Sequence, residues 1–388
     1  MNPPGDHHSR LLRKPSPVSD GANAAPSTDP IRVMLIDDSL TVRTVLKRMV
    51  ESDPGMVVAD TASSAERGIA QLKNTAVDVI LLDLEMPGMG GLIALPDILA
   101  AAPDAQVMVV SSLTEDGAQA TVEALSQGAA DTMLKPRPGG FNEDYRSQLL
   151  GKIRALGTSI PDTASDQTNA ANTREPVGIR SSQRRAKRPE ILAIGASTGG
   201  IHALNVMLRA LTPAFDLPIL ITQHLPASFI PVFARQIEVA SGRPTRIAEE
   251  GTEIRQGEIV IASGEGHMTV RRVGDRVATR VVNERAASGC LPSVDPMLAS
   301  LATTYEGRAL AVILSGMGRD GLQGAQLLVE AGGAIWAQDA DTSAVWGMPG
   351  AVAKAGLTSM IAAPQTLGEA IMAEFSSAHC AGAAAVRA

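Results

Sequence analysis

The chain has 388 residues, of which 45% are hydrophobic and 19% charged, and its formal net charge is −7. The hydrophobic content is sufficient for folded cores, and at roughly 150 residues per domain the length predicts two or three domains. The negative charge and an aromatic content of only 2% argue against a protein that binds nucleic acid through a basic face or stacked bases.

Residues 1–30 are rich in Pro, Ser and Asp and contain no long apolar stretch, so we expect a disordered tail rather than a signal peptide. No run of about 18 apolar residues occurs, and we therefore expect no membrane insertion. The two cysteines, Cys290 and Cys380, match neither a zinc motif nor a disulfide framework, which favours a reducing cytoplasm.

From Ile31 onward, short apolar runs alternate with amphipathic stretches, a pattern typical of a parallel sheet with helices on both faces. The predicted strands are Ile31–Ile36, Met56–Ala59, Val79–Leu82, Val107–Val110 and Thr132–Leu134, and the predicted helices are Ser39–Glu51, Ala65–Lys73 and Ala118–Ser126. We expect a first domain over residues 31–150, built on a doubly wound, five-stranded parallel sheet.

Residues 151–188 are predicted to be a flexible linker. After Leu156 the sequence is rich in Thr, Ser, Asp and Asn and ends in a basic run between Arg180 and Arg188. We interpret this run as part of a solvated tether, and contact with an acidic surface or nucleic acid is the alternative.

A second α/β series predicts another domain over residues 189–370, with a mainly parallel sheet. Its predicted strands are Ile191–Ile194, Pro218–Thr222, Glu258–Ala262, Met268–Val273, Ala309–Leu314 and Ala334–Ala337. After about Pro364 the chain becomes an Ala-rich helix, and residues 371–388 are expected to form a C-terminal tail.

Polar side chains stand at the ends of four strands of the first series. They are Asp37, Asp38, Asp83, Ser111 and Lys135. Because the carboxyl ends of parallel strands meet at one edge of a sheet, we expect these side chains to cluster there. Clustered carboxylates suit Mg²⁺, and the set fits phosphoryl transfer to Asp83. The simpler alternative, in which Asp37 and Asp38 only cap the next helix, does not account for the other three.

The segments I-D-D-S, L-L-D-L-E-M-P-G-M, V-S-S-L-T and L-K-P resemble a response-regulator receiver domain. The resemblance implies that Asp83 is the phosphoacceptor and that Ser111 and Lys135 contact the phosphoryl group. It also implies a Mg²⁺ site made by Asp37, Asp38, Asp83 and the backbone carbonyl of Glu85. Gly90 stands where this family often has Asp.

The strand Ile191–Ile194 runs into the segment G-A-S-T-G-G, for which three interpretations compete. A dinucleotide-binding turn needs a glycine where Ser197 stands, and it needs an acidic residue after the next strand, which is also missing. A packing turn without function is the second interpretation. The third is a nucleophilic serine, because G-x-S-x-G places a serine on a sharp turn between a strand and a helix.

A nucleophilic serine needs a base and an acid that orients the base. Of the six histidines, only His202, His224 and His267 lie in patterned sequence, and only His224 follows a strand at its carboxyl end. Asp320 follows the strand Ala309–Leu314 and is the candidate acid. Asp339 and Asp341, after a later strand, are the reserve candidates. The order Ser, His, Asp differs from that of α/β-hydrolases, so a separate topology is expected.

The segments G-A-S-T-G-G, Q-H-L-P, P-S-V-D, S-G-M-G-R-D-G and A-Q-D-x-x-x-x-V-W-G-M-P-G resemble the chemotaxis protein-glutamate methylesterase/glutaminase family, known as CheB. The resemblance implies Ser197 as nucleophile, His224 as base and Asp320 as its orienting acid. It also implies that the Met317 N–H stabilises an oxyanion and that Thr198 supports the site. Leu291 stands where the family usually has Arg.

This resemblance implies a phosphorylation-controlled, cytoplasmic serine esterase of chemotaxis adaptation. The enzyme would hydrolyse glutamate methyl esters on chemoreceptor helices, deamidate receptor glutamines and take phosphate from the chemotaxis histidine kinase. Mg²⁺ would serve phosphorylation, and ester hydrolysis would need no cofactor. We expect a monomer without nucleic-acid partners. Two alternatives remain: a receiver with a nucleic-acid-binding output, and a nicotinamide oxidoreductase built on Gly195–Gly200.

Overall fold

The structure is a computed structural model that describes residues 29–112, 114–136, 140–158, 187–212 and 214–385, with the backbone alone at residues 115 and 376–385. The predicted N-terminal tail, except for its last two residues, and most of the predicted linker lie outside the described residues. Within the described part, no helix is both long and apolar enough to cross a membrane.

The first domain is a five-stranded parallel sheet covered on both faces by helices, which confirms the predicted doubly wound fold. Its strands are β1 (Ile31–Ile36), β2 (Met56–Ala62), β3 (Val79–Asp83), β4 (Gln106–Ser111) and β5 (Asp131–Leu134). Its helices are α1 (Leu40–Val50), α2 (Ala65–Leu72), α3 (Gly91–Ala101), α4 (Glu115–Gln127) and α5 (Glu143–Gly157). The strand order β2-β1-β3-β4-β5 places the ends of β1, β3, β4 and β5 side by side.

The continuous apolar runs of these strands arise because both sheet faces are buried. In β1, Met34 and Ile36 pack into a core with α2, α3 and α4. Their neighbours Val33 and Leu35 point to the other face, into a core with α1 and α5. With both faces covered, the polar residues that follow each strand are left at the sheet edge.

The second domain contains a seven-stranded parallel sheet and a separate antiparallel hairpin. The sheet strands are β6 (Ile191–Ala196), β7 (Ile219–Gln223), β8 (Thr245–Ile247), β9 (Ile259–Ile261), β12 (Ala309–Ile313), β13 (Ala334–Gln338) and β14 (Thr358–Ala362), and the hairpin strands are β10 (His267–Val273) and β11 (Arg276–Val282). The helices are α6 (Gly200–Ala210), α7 (Ile230–Ser241), α8 (Val294–Thr304), α9 (Leu322–Glu330), α10 (Met348–Lys354) and α11 (Pro364–Ala385).

The strand order of this sheet is β14-β13-β12-β6-β7-β9-β8, so β6 lies at its centre. It pairs with β12 on one side and with β7 on the other, in parallel register. The loops that follow β12, β6 and β7 therefore emerge next to one another at one edge of the sheet. These are the loops that carry Asp320, Ser197 and His224.

Two expected domain boundaries fall inside helices. Helix α5 continues past residue 150 to Gly157, because Ile153 and Leu156 are fully buried in the core of the first domain. Helix α11 continues past residue 370, where Ile371 is fully buried and Phe375 packs edge-to-face on Phe215 at 5.2 Å. The residues expected to begin the linker and the C-terminal tail thus belong to packed helices.

The two domains pack against each other through α4 and the start of β5 on one side and α6 and α7 on the other. One cluster of buried apolar side chains runs through both domains, with Val122 of α4 and Phe229 before α7 among its members. On α6, His202 Nδ1 lies 3.1 Å from the carbonyl oxygen of Ser126, and Asn205 donates a hydrogen bond of 2.8 Å to the Ser126 hydroxyl.

Candidate active site and receiver site

Ser197 lies on the tight turn between β6 and α6, and it is half-buried. Its N–H donates to the Ser315 carbonyl at 3.0 Å, which ties the turn to the loop after β12. Gly199 adopts a φ of 75°, a left-handed conformation that favours glycine. A Cβ on Gly316 would lie 2.8 Å from the Ser197 Cβ, so a glycine is needed there for the two loops to approach.

His224 and Asp320 form a direct pair, with 2.8 Å between His224 Nε2 and Asp320 Oδ2. The backbone N–H of His224 donates to the Ala196 carbonyl at 3.0 Å, which places His224 beside the turn that carries Ser197. Asp320 is 1% exposed. It accepts two further hydrogen bonds, from the Ser293 hydroxyl at 2.6 Å and from the Val294 N–H at 2.7 Å.

These contacts raise the pKa of His224 and lower the pKa of Asp320. Burial favours the neutral imidazole of His224, but the hydrogen bonds to Asp320 and to Cys290 outweigh it and raise the pKa of His224 to about 9. Burial also favours a neutral Asp320, yet the hydrogen bonds from His224, Ser293 and Val294 hold the pKa of this carboxyl well below its usual range. Asp320 is therefore a carboxylate that stabilises a protonated His224.

Cys290 is a free, half-buried thiol beside this pair. One ligating atom from each of Cys290, His224 and Asp320 lies within 4.8 Å of the other two. Within the described part of the chain, no hydrogen bond joins Ser197 to His224. In this arrangement His224 is engaged by the carboxylate and the thiol rather than by the serine.

Two backbone N–H groups near Ser197 are available to a ligand. Among the residues that the structure describes, neither the Met317 N–H nor the Thr198 N–H has a hydrogen-bond acceptor, whereas the Gly316 N–H donates to Val345 at 3.0 Å. Free N–H groups beside a nucleophile are the donors that an oxyanion requires. The Thr198 side chain is turned away from this role, because its hydroxyl donates to Asp131 of the first domain.

The contact between Asp131 and Thr198 belongs to a small polar network where the first domain covers the Ser197 turn. The Thr198 hydroxyl donates to Asp131 Oδ2 at 2.6 Å, and Lys152 Nζ lies 2.7 Å from Asp131 Oδ1. Next to it, the Gly199 N–H donates to the Ala130 carbonyl at 2.5 Å. The two residues after Ser197 are thus held by the start of β5.

The other candidate residues of the second domain have different surroundings. His267 is buried, accepts a hydrogen bond from the Ser293 N–H at 2.9 Å and lies 2.7 Å from the Glu284 carbonyl, so it supports the loop that carries Ser293. His202 is exposed and contacts the first domain. The reserve acid Asp339 accepts hydrogen bonds within its own turn, from the N–H and the hydroxyl of Thr342.

In the first domain, Lys135 bridges two buried carboxylates. Its Nζ lies 2.5 Å from Asp83 Oδ2 and 3.1 Å from Asp37 Oδ2. Burial raises the pKa of Asp83, and Lys135 offsets this rise only in part. Burial lowers the pKa of Lys135, but Asp83 and Asp37 raise it above its ordinary value, so the ammonium remains charged. Asp83 lies at the end of β3, and Lys135 follows the end of β5.

The surroundings of these carboxylates fit a hard divalent cation. Carboxylate oxygens of Asp37, Asp38 and Asp83 lie within 4.8 Å of one another, and oxygen ligands at this spacing suit Mg²⁺. The Ser111 hydroxyl is fully buried at the same edge and has no hydrogen-bond partner in the described part of the chain. The Glu85 N–H donates to Asp83 Oδ1 at 3.0 Å, which places its backbone beside the phosphoacceptor candidate.

Comparison with known proteins places the chain in a family. A family model described as CheB methylesterase matches residues 192–371, and one described as response regulator receiver domain matches residues 33–140. A Paramagnetospirillum magneticum protein named protein-glutamate methylesterase/protein-glutamine glutaminase 1 is 40% identical over 358 residues, which cover 87% of this chain and 94% of that protein. The chain belongs to the CheB methylesterase family.

Another member, from Caulobacter vibrioides and named protein-glutamate methylesterase/protein-glutamine glutaminase 2, is 41% identical over 339 residues, covering 85% of this chain and 95% of that protein. The crystal structure of the Thermotoga maritima CheB methylesterase catalytic domain aligns with 48% of this chain and 98% of its own, with 31% identity and a TM-score of 0.46. The predicted CheB resemblance and the order of the two domains are confirmed.

The departure from the receiver pattern, Gly90, and the departure from the methylesterase pattern, Leu291, lie on turning or exposed backbone. Gly90 has a φ of 71° at the start of α3, a conformation that glycine adopts without strain. Leu291 is 55% exposed and follows Cys290 directly.

Sequence reasoning missed three residues of these sites. Ser293 lies in the quoted P-S-V-D segment, but its bond to Asp320 has no signature in the sequence. The spacing of Cys290 in the sequence matches no metal motif, although folding brings it to His224. Asp131 looks like an ordinary strand residue, and its role depends on how the two CheB domains dock.

Proposed function

We propose that this protein is a protein-glutamate methylesterase, with protein-glutamine glutaminase activity, that phosphorylation of its receiver domain controls during chemotaxis. The observation that carries the proposal is the His224–Asp320 pair, 2.8 Å apart, on loops that flank the Ser197 turn. It occurs in a chain that is 40% identical over 358 residues to a protein named for both activities.

In the proposed reaction, Ser197 Oγ attacks the γ-carbonyl carbon of a glutamate methyl ester. His224, in its neutral form, accepts the Ser197 proton and later gives it to the departing methoxide, so that methanol leaves. The free N–H groups of Met317 and Thr198 stabilise the oxyanion. Water, deprotonated by His224, then releases the acyl group as glutamate and restores Ser197. With a glutamine substrate, ammonia leaves in place of methanol.

Asp320 contributes to this reaction by holding the charge and the orientation of His224. Within the described part of the chain, the Asp320 carboxylate accepts hydrogen bonds from His224 Nε2, the Ser293 hydroxyl and the Val294 N–H. The imidazolium that forms when His224 accepts the Ser197 proton is therefore stabilised by the Asp320 carboxylate as soon as it forms. Charge-assisted hydrogen bonds of this kind are about twice as strong as neutral ones.

Control follows from the contacts between the domains. The first domain holds Thr198 and Gly199, the two residues after Ser197, and we infer that it thereby hinders the approach of a receptor helix to the serine. We infer that phosphorylation of Asp83 favours an arrangement in which this contact is open. The Lys135 ammonium, which now pairs with Asp83, would then contact the phosphoryl group, and the unpartnered Ser111 hydroxyl would donate to it.

Mg²⁺ belongs to the phosphorylation step in receiver domains generally. In this chain Asp37, Asp38, Asp83 and the Glu85 carbonyl would hold it, and when bound it offsets the negative charge of the incoming phosphoryl group. The proposed phosphodonor is the chemotaxis histidine kinase, and the substrates are cytoplasmic helices of methyl-accepting receptors. We place the reaction in the cytoplasm, by a monomer, and propose no cofactor for ester hydrolysis.

The decisive experiment is methanol release from membranes that contain methylated receptors. We expect release by the unchanged protein and loss of it in Ser197→Ala. Ser241→Ala is the matched control, because Ser241 bonds the Ile237 carbonyl within α7, away from the edge that carries Ser197. If Ser197→Ala releases methanol at the rate of the control, the proposed nucleophile is wrong.

A second experiment tests whether phosphorylation of Asp83 controls the esterase. A small phosphodonor with Mg²⁺ should raise methanol release by the unchanged protein and should have no effect on Asp83→Asn. A response that survives in Asp83→Asn would exclude the proposed switch while leaving the esterase assignment intact.

A further inference from the structure

The proposed ester hydrolysis gives no role to the Cys290 thiol, which lies beside His224 and Asp320. Cys290 lies on the loop between β11 and α8 that also carries Ser293. One ligating atom from each of the three residues lies within 4.8 Å of the others. The three atoms are a thiol sulfur, an imidazole nitrogen and a carboxylate oxygen, which are the three kinds of ligand that Zn²⁺ takes from proteins.

The three ligand atoms would need only small movements to surround a metal ion. With Zn–S of about 2.3 Å and Zn–N and Zn–O of about 2.0–2.2 Å, the ligand atoms of a tetrahedral site lie about 3–4 Å apart. The His224–Asp320 contact of 2.8 Å would widen by about 0.5 Å, and the Cys290 sulfur, within 4.8 Å of the other two ligand atoms, would move closer to them. Cys290 is half-buried on a loop, and its side chain can turn without moving the sheet.

Burial and hydrogen bonding fix the orientation of one candidate ligand, Asp320. Asp320 is 1% exposed, and the Ser293 hydroxyl and the Val294 N–H fix its orientation. Partners of this kind hold ligands in place around protein-bound metals. The partial exposure of Cys290 leaves a way in for the ion and room for a water as fourth ligand.

We propose that Cys290, His224 and Asp320 form a binding site for Zn²⁺ and that the bound ion reversibly inhibits the esterase. The inhibition rests on the proposed role of His224, whereas the binding does not. Binding sends two protons to solvent, one from the Cys290 thiol and one from the imidazolium of His224. The thiolate and the carboxylate then balance the two positive charges of the ion.

Inhibition follows from the electron pairs of the imidazole ring. A neutral imidazole has one nitrogen lone pair, and coordination to the metal uses it. The other nitrogen carries a proton, so no acceptor remains for the proton of Ser197. Zn²⁺ would thus stop the reaction without touching the serine, and a chelator that removes the ion would restore it.

The binding half is tested on the full-length protein with Co²⁺ as a spectroscopic stand-in for Zn²⁺. A thiolate bound to Co²⁺ gives a near-ultraviolet charge-transfer absorption, which Zn²⁺ should abolish by displacement. We expect this absorption in the unchanged protein, in Ser197→Ala and in Cys380→Ser, the matched control at the other cysteine, and its loss in Cys290→Ser and Cys290→Ala. Absorption that persists in both Cys290 variants, or is missing from the unchanged protein, would overturn the site.

Inhibition by Zn²⁺ is tested by comparing the rate of methanol release of each variant with and without the metal. We expect the Zn²⁺ concentration for half-inhibition to rise about tenfold or more in Cys290→Ser and to stay unchanged in Cys380→Ser. Equal inhibition of both variants would refute the proposal. Because Ser197→Ala is expected to bind Co²⁺ while releasing no methanol, failure of the metal site and failure of the esterase proposal give different results.

Discussion

Replacing Asp131 by Ala removes a buried carboxylate through which the receiver domain holds the turn that carries Ser197. The Asp131 Oδ2 atom accepts a hydrogen bond of 2.6 Å from the Thr198 hydroxyl, and Oδ1 pairs with Lys152 Nζ at 2.7 Å. The side chains of Asp131 and Lys152 are 11% and 30% exposed, so solvent weakens the ion pair more than the hydrogen bond to Thr198. We expect Asp131→Ala to raise the activity of the unphosphorylated protein.

The size of this effect follows from the contacts that are lost. Only the hydrogen bond to Thr198 crosses between the domains, because Lys152 lies on α5 of the receiver domain itself. A hydrogen bond to a charged group contributes about 1.5–3 kcal/mol. Since about 1.4 kcal/mol corresponds to a factor of ten, the ratio of covered to open protein should fall by roughly ten- to a hundredfold. Basal methanol release should rise accordingly, up to the rate that the phosphorylated protein reaches.

Methanol release without phosphodonor is the assay, and Asp78→Ala is the matched control. Asp78 also forms an ion pair, with Arg32 at 2.6 Å, but both partners belong to the receiver domain. We expect no rise in this variant. If Asp131→Ala and Asp78→Ala release methanol at the same basal rate as the unchanged protein, the contact does not restrain the site, and the account of control is wrong.

Four further predictions concern the charged groups of the two sites. Ser293→Ala removes a 2.6 Å hydrogen bond to the Asp320 carboxylate, which contributes about 1.5–3 kcal/mol. We therefore expect kcat/KM for methanol release to fall about tenfold or more. An unchanged value would show that Asp320 does not need this hydrogen bond. Because the pKa of His224 is raised to about 9, the basal kcat/KM should increase with pH up to about 9, and a profile that is flat between pH 7 and pH 9 would contradict this. The same shift stabilises the fold fully below pH 6.5 and loses this contribution as the pH rises through about 9, so thermal melts should show a falling Tm over that range. Lys135→Ala removes the ammonium 2.5 Å from Asp83, and the activation by phosphodonor should drop to near one, whereas full activation would exclude Lys135 from the switch.

The sequence was sufficient to predict which loops meet because parallel strands have a direction. Ser197, His224 and Asp320 each follow an apolar run, and the order β12-β6-β7 places those loops side by side. The same logic predicted Asp83 and Lys135 at one edge of the first sheet, where the structure has them 2.5 Å apart. Whether these residues perform the proposed chemistry stays a prediction for the assays.

Contacts between distant segments were not predictable in this way. Cys290 reaches His224 only because the loop after β11 folds back over the sheet edge, and Asp131 reaches Thr198 only because two domains dock. Both contacts depend on packing between surfaces that carry no local pattern. Single residues on such surfaces give no period, spacing or motif from which the contact could be inferred.

Helix α3 and strand β8 were not predicted from the sequence, for a different reason. Helix α3 carries Pro96 in its interior and apolar residues on most sides, so it shows neither a clean helical period nor a clear polar face. Strand β8 has only three residues, and all of them are half-buried. These elements form because the neighbouring sheet and helices bury them, which a local pattern does not record.

The most direct test of the account is labelling by a fluorophosphonate, which loses fluoride when a nucleophilic serine attacks its phosphorus. Intact protein would be labelled with and without phosphodonor plus Mg²⁺, and the modified peptide would be located by mass spectrometry. The account predicts a single adduct on Ser197 that forms faster after phosphorylation of Asp83. An adduct on another residue, or a labelling rate at Ser197 that phosphorylation leaves unchanged, would contradict it.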